Sequence, residues 1–133
     1  NVFSIPKPHW MKLKMSFIMS AFMFLEKEVQ IKQIQAWSYM TSLQHPEDRD
    51  KLWHHHWHDI SVNSISGVYY VHLPEADDDC GTEFAPNGPE DKLRHMEPPL
   101  LGGWIIYESK EWHRPGKLKS EDSRFIVAAD LTY

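Results

Sequence analysis

The chain has 133 residues, a formal net charge of −5, and nine histidines against a single cysteine, Cys80. That length suits one domain with one hydrophobic core, so residues 1–133 are predicted to form a single domain. One cysteine excludes an internal disulfide and a multi-thiolate zinc site. The acidic balance argues against binding nucleic acid through its phosphates. The most apolar run, residues 15–25, is about half the length that spans a bilayer, so we expect no membrane partner and a cytoplasmic location.

The N-terminal part, residues 1–52, is predicted to be a mixed helical and irregular flank. Residues 1–14 contain two prolines and are expected to be an irregular lead-in to an apolar core segment. The apolar spacing over residues 25–43 predicts a helix, although the start of this stretch alternates in a way that also suits a strand. Pro46, followed by acidic residues, then predicts a short helix that ends near Lys51.

Residues 53–133 are predicted to form a β core. Short β-branched and aromatic segments alternate there with Gly, Pro and Asp turns, which is typical of an antiparallel sandwich or barrel. The predicted strands cover residues 66–73, 81–85, 103–107 and 124–129, with residues 112–116 as a strand end that turns into a loop. The expected fold class is therefore mainly β, with one or two N-terminal helices.

Four of the nine histidines fall within residues 54–58. In an extended strand every second residue shares a face, so His54, His56 and His58 would point the same way and Asp59 the opposite way. Two imidazoles spaced in this manner can reach one divalent cation, and imidazole nitrogen suits iron, zinc, copper or nickel. A solvated, histidine-rich strand edge is the alternative interpretation.

His113 and Arg124 form a second pattern, at the end of one predicted strand and the start of the next. If these strands pair as a hairpin, an imidazole and a guanidinium enter the same cavity. The guanidinium fork suits a carboxylate ligand, while the imidazole is available to a metal. The alternative is a surface Arg124 that pairs with Glu121 or Asp122.

Four segments occur in a suggestive order: a His-rich strand, SGVYYVHLP, GTEF, and GGWIIYESKEWHRP leading to SRFIVAADL. From about His56 to Leu131, this order resembles the iron(II)- and 2-oxoglutarate-dependent dioxygenases. The similarity is closest to their prolyl-hydroxylase-like branch and to the small phage and marine bacterial members near it. The resemblance covers a little over half of the chain and implies a double-stranded β-helix, or jelly roll.

The resemblance also implies an activity and a set of site residues. His56, His58 and His113 would hold Fe(II), while Arg124 would bind the far carboxylate of 2-oxoglutarate. Tyr70 matches a position whose phenol helps to hold this cosubstrate, although a core aromatic with a satisfied hydroxyl is an equal alternative. The implied reaction is hydroxylation of a small-molecule or peptidyl substrate, coupled to oxidative decarboxylation of 2-oxoglutarate.

The sequence departs from the family in the first pair of metal ligands. The family usually has His-x-Asp or His-x-Glu, and residues 53–60 contain neither triplet. His54 with His56 is the competing ligand pair, and a bulge could instead bring Asp59 round to the metal. Two other functions therefore stay open: a cupin-like metal enzyme that does not use 2-oxoglutarate, and a non-catalytic jelly-roll binding module.

Overall fold

The fold is mainly β, with two antiparallel sheets and one long N-terminal helix. The computed structural model describes residues 1–42, 46–56, 59, 61–74, 79–119 and 121–133, without the side chains of residues 46 and 47. The strands in this part of the chain are β1 Gln33–Thr41, β2 Ser64–His72, β3 Thr82–Ala85, β4 His95–Glu97, β5 Trp104–Glu108, β6 Trp112–Pro115 and β7 Arg124–Thr132. The predicted strands correspond to β2, β3, β5, β6 and β7.

A long helix, α1, runs over Pro8–Leu25, where the sequence predicted an irregular lead-in and a core segment. The prediction of an irregular lead-in is wrong over residues 8–14, because proline is favoured in a first helical turn, where its missing N–H costs nothing. The core segment is the second half of this helix, which buries Phe17 and Ala21. The helix ends at Glu26, which has a left-handed backbone (φ 54°) and donates its N–H to the Met23 carbonyl. No helix among the described residues is both long enough and apolar enough to cross a membrane.

The helix predicted over residues 25–43 is also wrong, since residues 33–41 of this stretch form β1. β1 pairs with β7 along nine consecutive residues. This long-range ladder outweighs the local helical spacing, because propensity is a weak prior that tertiary pairing overrides. The short helix expected from Pro46 is present as α2, Pro46–Arg49, followed by a 3-10 turn over Asp50–Leu52.

The larger sheet has the strand order β1-β7-β2-β5, and the smaller one has the order β4-β3-β6. An isolated antiparallel bridge from His54 to His113 continues the smaller sheet beyond β6. The hairpin predicted between the strands of His113 and Arg124 does not form, because these strands belong to different sheets. β7 already pairs with β1 on one edge and β2 on the other, so neither edge is open to β6.

The two faces of the larger sheet have different partners. One face packs against α1 through Phe17, which lies so close to Gly67 that a Cβ there would be 2.8 Å from the Phe17 ring. The Trp104 indole N–H also donates to the Ser16 hydroxyl of α1, at 2.7 Å. The opposite face turns toward the smaller sheet, and the apolar contacts on this side include Phe84. The candidate site lies in this space between the sheets.

Candidate metal centre

A cavity of about 460 Å³ opens between the two sheets. Because side chains alternate along a strand, every second residue over parts of β1 and β7 faces it: Trp37, Tyr39 and Thr41, and Arg124, Ile126 and Ala128. Its polar lining consists mainly of histidine and arginine side chains, and β1 contributes a wall of larger side chains. The lining includes His54, His56, His113, Tyr107, Arg124 and Thr82.

Three of the lining residues, His54, His56 and His113, bring one ring nitrogen each to within 4.8 Å of the other two. Backbone hydrogen bonds place them there. His54 and His113 exchange N–H···O bonds of 3.1 and 2.9 Å, and the His56 N–H donates to the Ser109 carbonyl at 2.9 Å. Residues 54 and 56 thus face the cavity together, while the His55 ring packs against Trp112.

Two of the three imidazoles have their tautomer set by a backbone carbonyl. The Nδ1 atom of His54 lies 2.7 Å from the Leu52 carbonyl oxygen, and that of His113 lies 2.9 Å from the Glu111 carbonyl oxygen. A carbonyl oxygen only accepts, so Nδ1 must carry the proton in both rings. The lone pair of each ring is therefore on Nε2.

The third imidazole, His56, is oriented by a carboxylate. Its Nδ1 lies 2.7 Å from Asp130 Oδ1, which also accepts a 2.7 Å hydrogen bond from the Ser66 hydroxyl. Ser66 in turn lies 2.8 Å from the Ser109 hydroxyl. A carboxylate that accepts the Nδ1 proton is the usual outer partner of a metal-binding histidine, because it orients the ring and makes Nε2 more basic.

Sequence reasoning did not identify Asp130. Its spacing from Arg124 could have indicated it, because the two residues lie on the same face of β7. A carboxylate on a mainly apolar strand is also unusual. Residues 53–60 lack a carboxylate two positions after a histidine. The fold supplies one from 74 residues away, bonded to a histidine.

Burial favours the uncharged form of His113 and His54. It lowers the pKa of His113 to about 3, with the neighbouring His54 adding to the effect. Burial also lowers the pKa of His54, against the opposing hydrogen bond to Leu52. A neutral imidazole with a free lone pair is the form that binds a metal, so His54 and His113 are in the ligating state at neutral pH.

Tyr107, which the sequence did not single out either, projects from β5 toward the same point. Its hydroxyl lies 3.1 Å from His113 Nε2, and the two ring centroids are 4.7 Å apart. Burial and the charge of Asp130 raise the pKa of Tyr107 well above its ordinary value. The phenol is therefore protonated and donates to the His113 lone pair.

Arg124 lies in the same cavity as His113, on the opposite sheet. It is almost completely buried, and its Nη1 group donates to the carbonyls of Cys80 and Gly81. Its Nη2 group lies 3.4 Å from the Thr41 hydroxyl. The guanidinium is thus held rigidly at the cavity wall by backbone oxygens and a threonine.

Tyr70 lies one hydrogen bond away from the cavity. Its side chain is fully buried, and its hydroxyl lies 2.6 Å from the Thr82 hydroxyl, which does line the cavity. Burial raises the pKa of Tyr70 to about 12, so the phenol is neutral. In this arrangement Thr82 stands between the Tyr70 hydroxyl and the cavity.

The remaining two candidate ligands are His58 and Asp59. His58 lies outside the described residues. Asp59 is exposed, and its Oδ1 accepts hydrogen bonds from the Ser61 N–H at 2.8 Å and the Ser61 hydroxyl at 2.6 Å. The group of three that the structure brings together consists of His54, the alternate ligand, with His56 and His113.

This donor set suits a divalent transition metal. Ligand atoms bonded at about 2.1 Å lie about 3.0–3.4 Å apart, so the three rings reach a common ion by turning slightly inward. Three neutral imidazoles are compatible with iron(II), zinc, copper or nickel. Comparison with protein-family models and with curated proteins finds no match for this chain.

Proposed function

We propose that the protein is an iron(II)- and 2-oxoglutarate-dependent oxygenase with a jelly-roll fold, which hydroxylates a small-molecule or peptidyl substrate. One observation carries the proposal. Three imidazoles with their Nδ1 protons engaged face a cavity that a buried guanidinium, Arg124, also lines. A cavity of about 460 Å³ is within the range of small-molecule sites, roughly 300–1,000 Å³.

The strand order supports the jelly roll. One sheet consists of β1, β2, β5 and β7, and the other consists of β3, β4 and β6. The bridge from His54 to His113 adds a fourth extended segment beside β6. Within the described residues, eight extended segments are thus divided equally between two antiparallel sheets. This distribution is typical of a jelly roll built from two Greek keys.

Within this proposal, His54, His56 and His113 hold the iron. Asp130 fixes the tautomer of His56, and backbone carbonyls fix the other two rings. Iron(II) with 2-oxoglutarate supplies the activation of dioxygen that hydroxylation of a C–H bond requires. Arg124 places a fixed positive charge at the cavity wall, where it attracts the far carboxylate of this cosubstrate.

A second candidate, a cupin-like metal enzyme that does not use 2-oxoglutarate, is favoured by one contact. The Nη1 group of Arg124 is already engaged by the carbonyls of Cys80 and Gly81. An arginine held in this way can serve to tie β7 to the loop before β3. The histidine cluster would then bind its metal without a dicarboxylate partner.

Anaerobic titration separates these functions. Iron(II) is added first and its affinity measured, and 2-oxoglutarate is then added while the visible spectrum is recorded. The proposal predicts a weak visible charge-transfer band that appears only with both components. Arg124→Met should weaken 2-oxoglutarate binding strongly while retaining iron(II), whereas Arg94→Met, at an exposed arginine, should behave as wild type.

The other outcomes each point to a different function. Iron(II) binding with no band on addition of 2-oxoglutarate would overturn the oxygenase proposal in favour of the cupin-like enzyme. Absence of iron(II) binding would favour a non-catalytic jelly-roll module. A band that is unchanged in Arg124→Met would remove only the role given to Arg124.

A further inference from the structure

Tyr107 brings a fourth donor atom to the histidine cluster from a separate element. It is on β5 of the larger sheet, whereas His113 is on β6 of the smaller one. The side chain crosses the space between the sheets and is 6% exposed. It packs against Phe84, with ring centroids 5.0 Å apart, which limits where the phenol oxygen can go.

The distance from the Tyr107 oxygen to His113 Nε2 fits two ligands of one metal ion. Two donor atoms bonded to one ion at about 2.1 Å are about 3.0 Å apart in an octahedral shell and about 3.4 Å apart in a tetrahedral one. The Tyr107 oxygen lies 3.1 Å from His113 Nε2. This separation therefore fits neighbouring ligands of one ion as well as it fits a hydrogen bond.

We propose that the Tyr107 oxygen is the fourth protein ligand of this site when it holds iron in the ferric state, giving three imidazoles and one phenolate. The donor charges explain the preference for the oxidised ion. Three neutral imidazoles contribute no negative charge, so Fe(III) gains more than Fe(II) from an anionic oxygen ligand. The phenolate retains the oxidised ion and occupies one coordination position.

Ligation of Tyr107 to the ferric ion releases one proton, and oxidation of the iron removes one electron. In the metal-free protein the phenol proton lies in the hydrogen bond to His113 Nε2. Iron takes that lone pair, so the phenol loses its acceptor. On oxidation, Fe(II) gives one electron to an added oxidant such as ferricyanide, the phenol O–H bond breaks, the proton passes to buffer, and an Fe(III)–O bond forms.

This inference rests on the metal site of the proposed function but does not depend on 2-oxoglutarate. The ligation of Tyr107 can therefore be refuted without refuting the oxygenase proposal, and the reverse also holds. The oxygenase proposal is tested by the iron(II) titration with 2-oxoglutarate, whereas the ligation of Tyr107 is tested with iron alone, without cosubstrate or substrate.

The experiment loads the full chain anaerobically with one equivalent of iron(II), removes unbound metal, and oxidises the iron with ferricyanide. Wild-type protein should develop an intense visible phenolate-to-iron(III) charge-transfer band, with phenolate ring modes in resonance Raman spectra excited within it. Tyr107→Phe should lose both signals. Tyr69→Phe is the matched control, because Tyr69 packs against Trp104 on the helix-facing side of the sheet and should keep both.

Folding is checked separately by circular dichroism and by binding of iron(II), which depends on the histidines. Ferric iron that is retained by wild type without the band would overturn the ligation of Tyr107 and leave the oxygenase proposal standing. A band that persists in Tyr107→Phe would overturn it as well. Failure of wild type to bind iron(II) would overturn both.

Discussion

Asp130→Asn tests most directly whether the histidine cluster is a metal site. Asp130 accepts hydrogen bonds of 2.7 Å from His56 Nδ1 and from the Ser66 hydroxyl. Asparagine has almost the same shape but no charge, and its amide group donates as well as accepts. If the amide N–H faces His56, Nδ1 becomes the acceptor and the proton moves to Nε2, which then cannot bind a metal.

The size of the effect follows from the hydrogen bond to His56. A bond to a charged partner contributes about 1.5–3 kcal/mol and a neutral one about 0.5–1.5 kcal/mol. The central values differ by about 1–1.5 kcal/mol, and the loss of the correct tautomer in part of the molecules adds to this difference. We therefore expect metal affinity to fall by about 10–100-fold, the usual range for loss of a carboxylate behind a ligating histidine.

The assay is competition for zinc or iron(II) against a chromophoric chelator, at constant pH and ionic strength. Asp122→Asn is the control, because it removes the same charge from an exposed position. Circular dichroism and urea unfolding establish that Asp130→Asn is folded. If this variant binds metal with wild-type affinity, Asp130 does not orient a ligating imidazole and the reasoning is refuted.

Three further predictions concern the ligands and the surrounding core. His113→Gln should abolish measurable metal binding, while His95→Gln, at an exposed histidine outside the cluster, should leave it unchanged in the same competition assay. The metal-free protein should lose up to roughly 4–5 kcal/mol of unfolding free energy as the pH falls from about 6.5 toward 3. The reason is that, as the pH falls, His113 is protonated in the unfolded chain before it is protonated in the folded protein. Measured by urea unfolding across this range, the unfolding free energy of His113→Gln should depend less on pH than that of wild type. An equal pH dependence would contradict the assignment. Tyr70→Phe should cost about 1–3 kcal/mol by urea unfolding, since it leaves the buried Thr82 hydroxyl without its 2.6 Å partner, and an unchanged midpoint would show that the bond contributes nothing.

The β core could be predicted because its strands carry their own local signals. Residues 66–73 and 124–129 are rich in β-branched and aromatic side chains, and β2 and β7 cover residues 66–72 and 124–129 of these segments. β1 was missed because Gln33–Thr41 has a spacing that suits a helix nearly as well as a strand. Its partner, β7, lies more than 80 residues further along the chain, and only that pairing distinguishes the two alternatives.

In the site, too, some features follow from local sequence and others only from long-range contacts. The alternation of a strand predicts that His54 and His56 share a face, and the sequence shows that imidazole, not thiolate, is the available ligand type. Asp130 and Tyr107 were not predicted, because nothing local links an aspartate on β7 or a tyrosine on β5 to a histidine elsewhere in the chain.

The sequence by itself determined which ligand types are available: nine histidines, one cysteine, and no His-x-Asp or His-x-Glu triplet within residues 53–60. Only the tertiary structure decided which histidines meet and what holds them. The bridge between His54 and His113 is a long-range pairing. Long-range pairings also place β6 and β7 in different sheets. The energy of such pairings depends on which faces are buried together, and a local spacing of residues does not encode that.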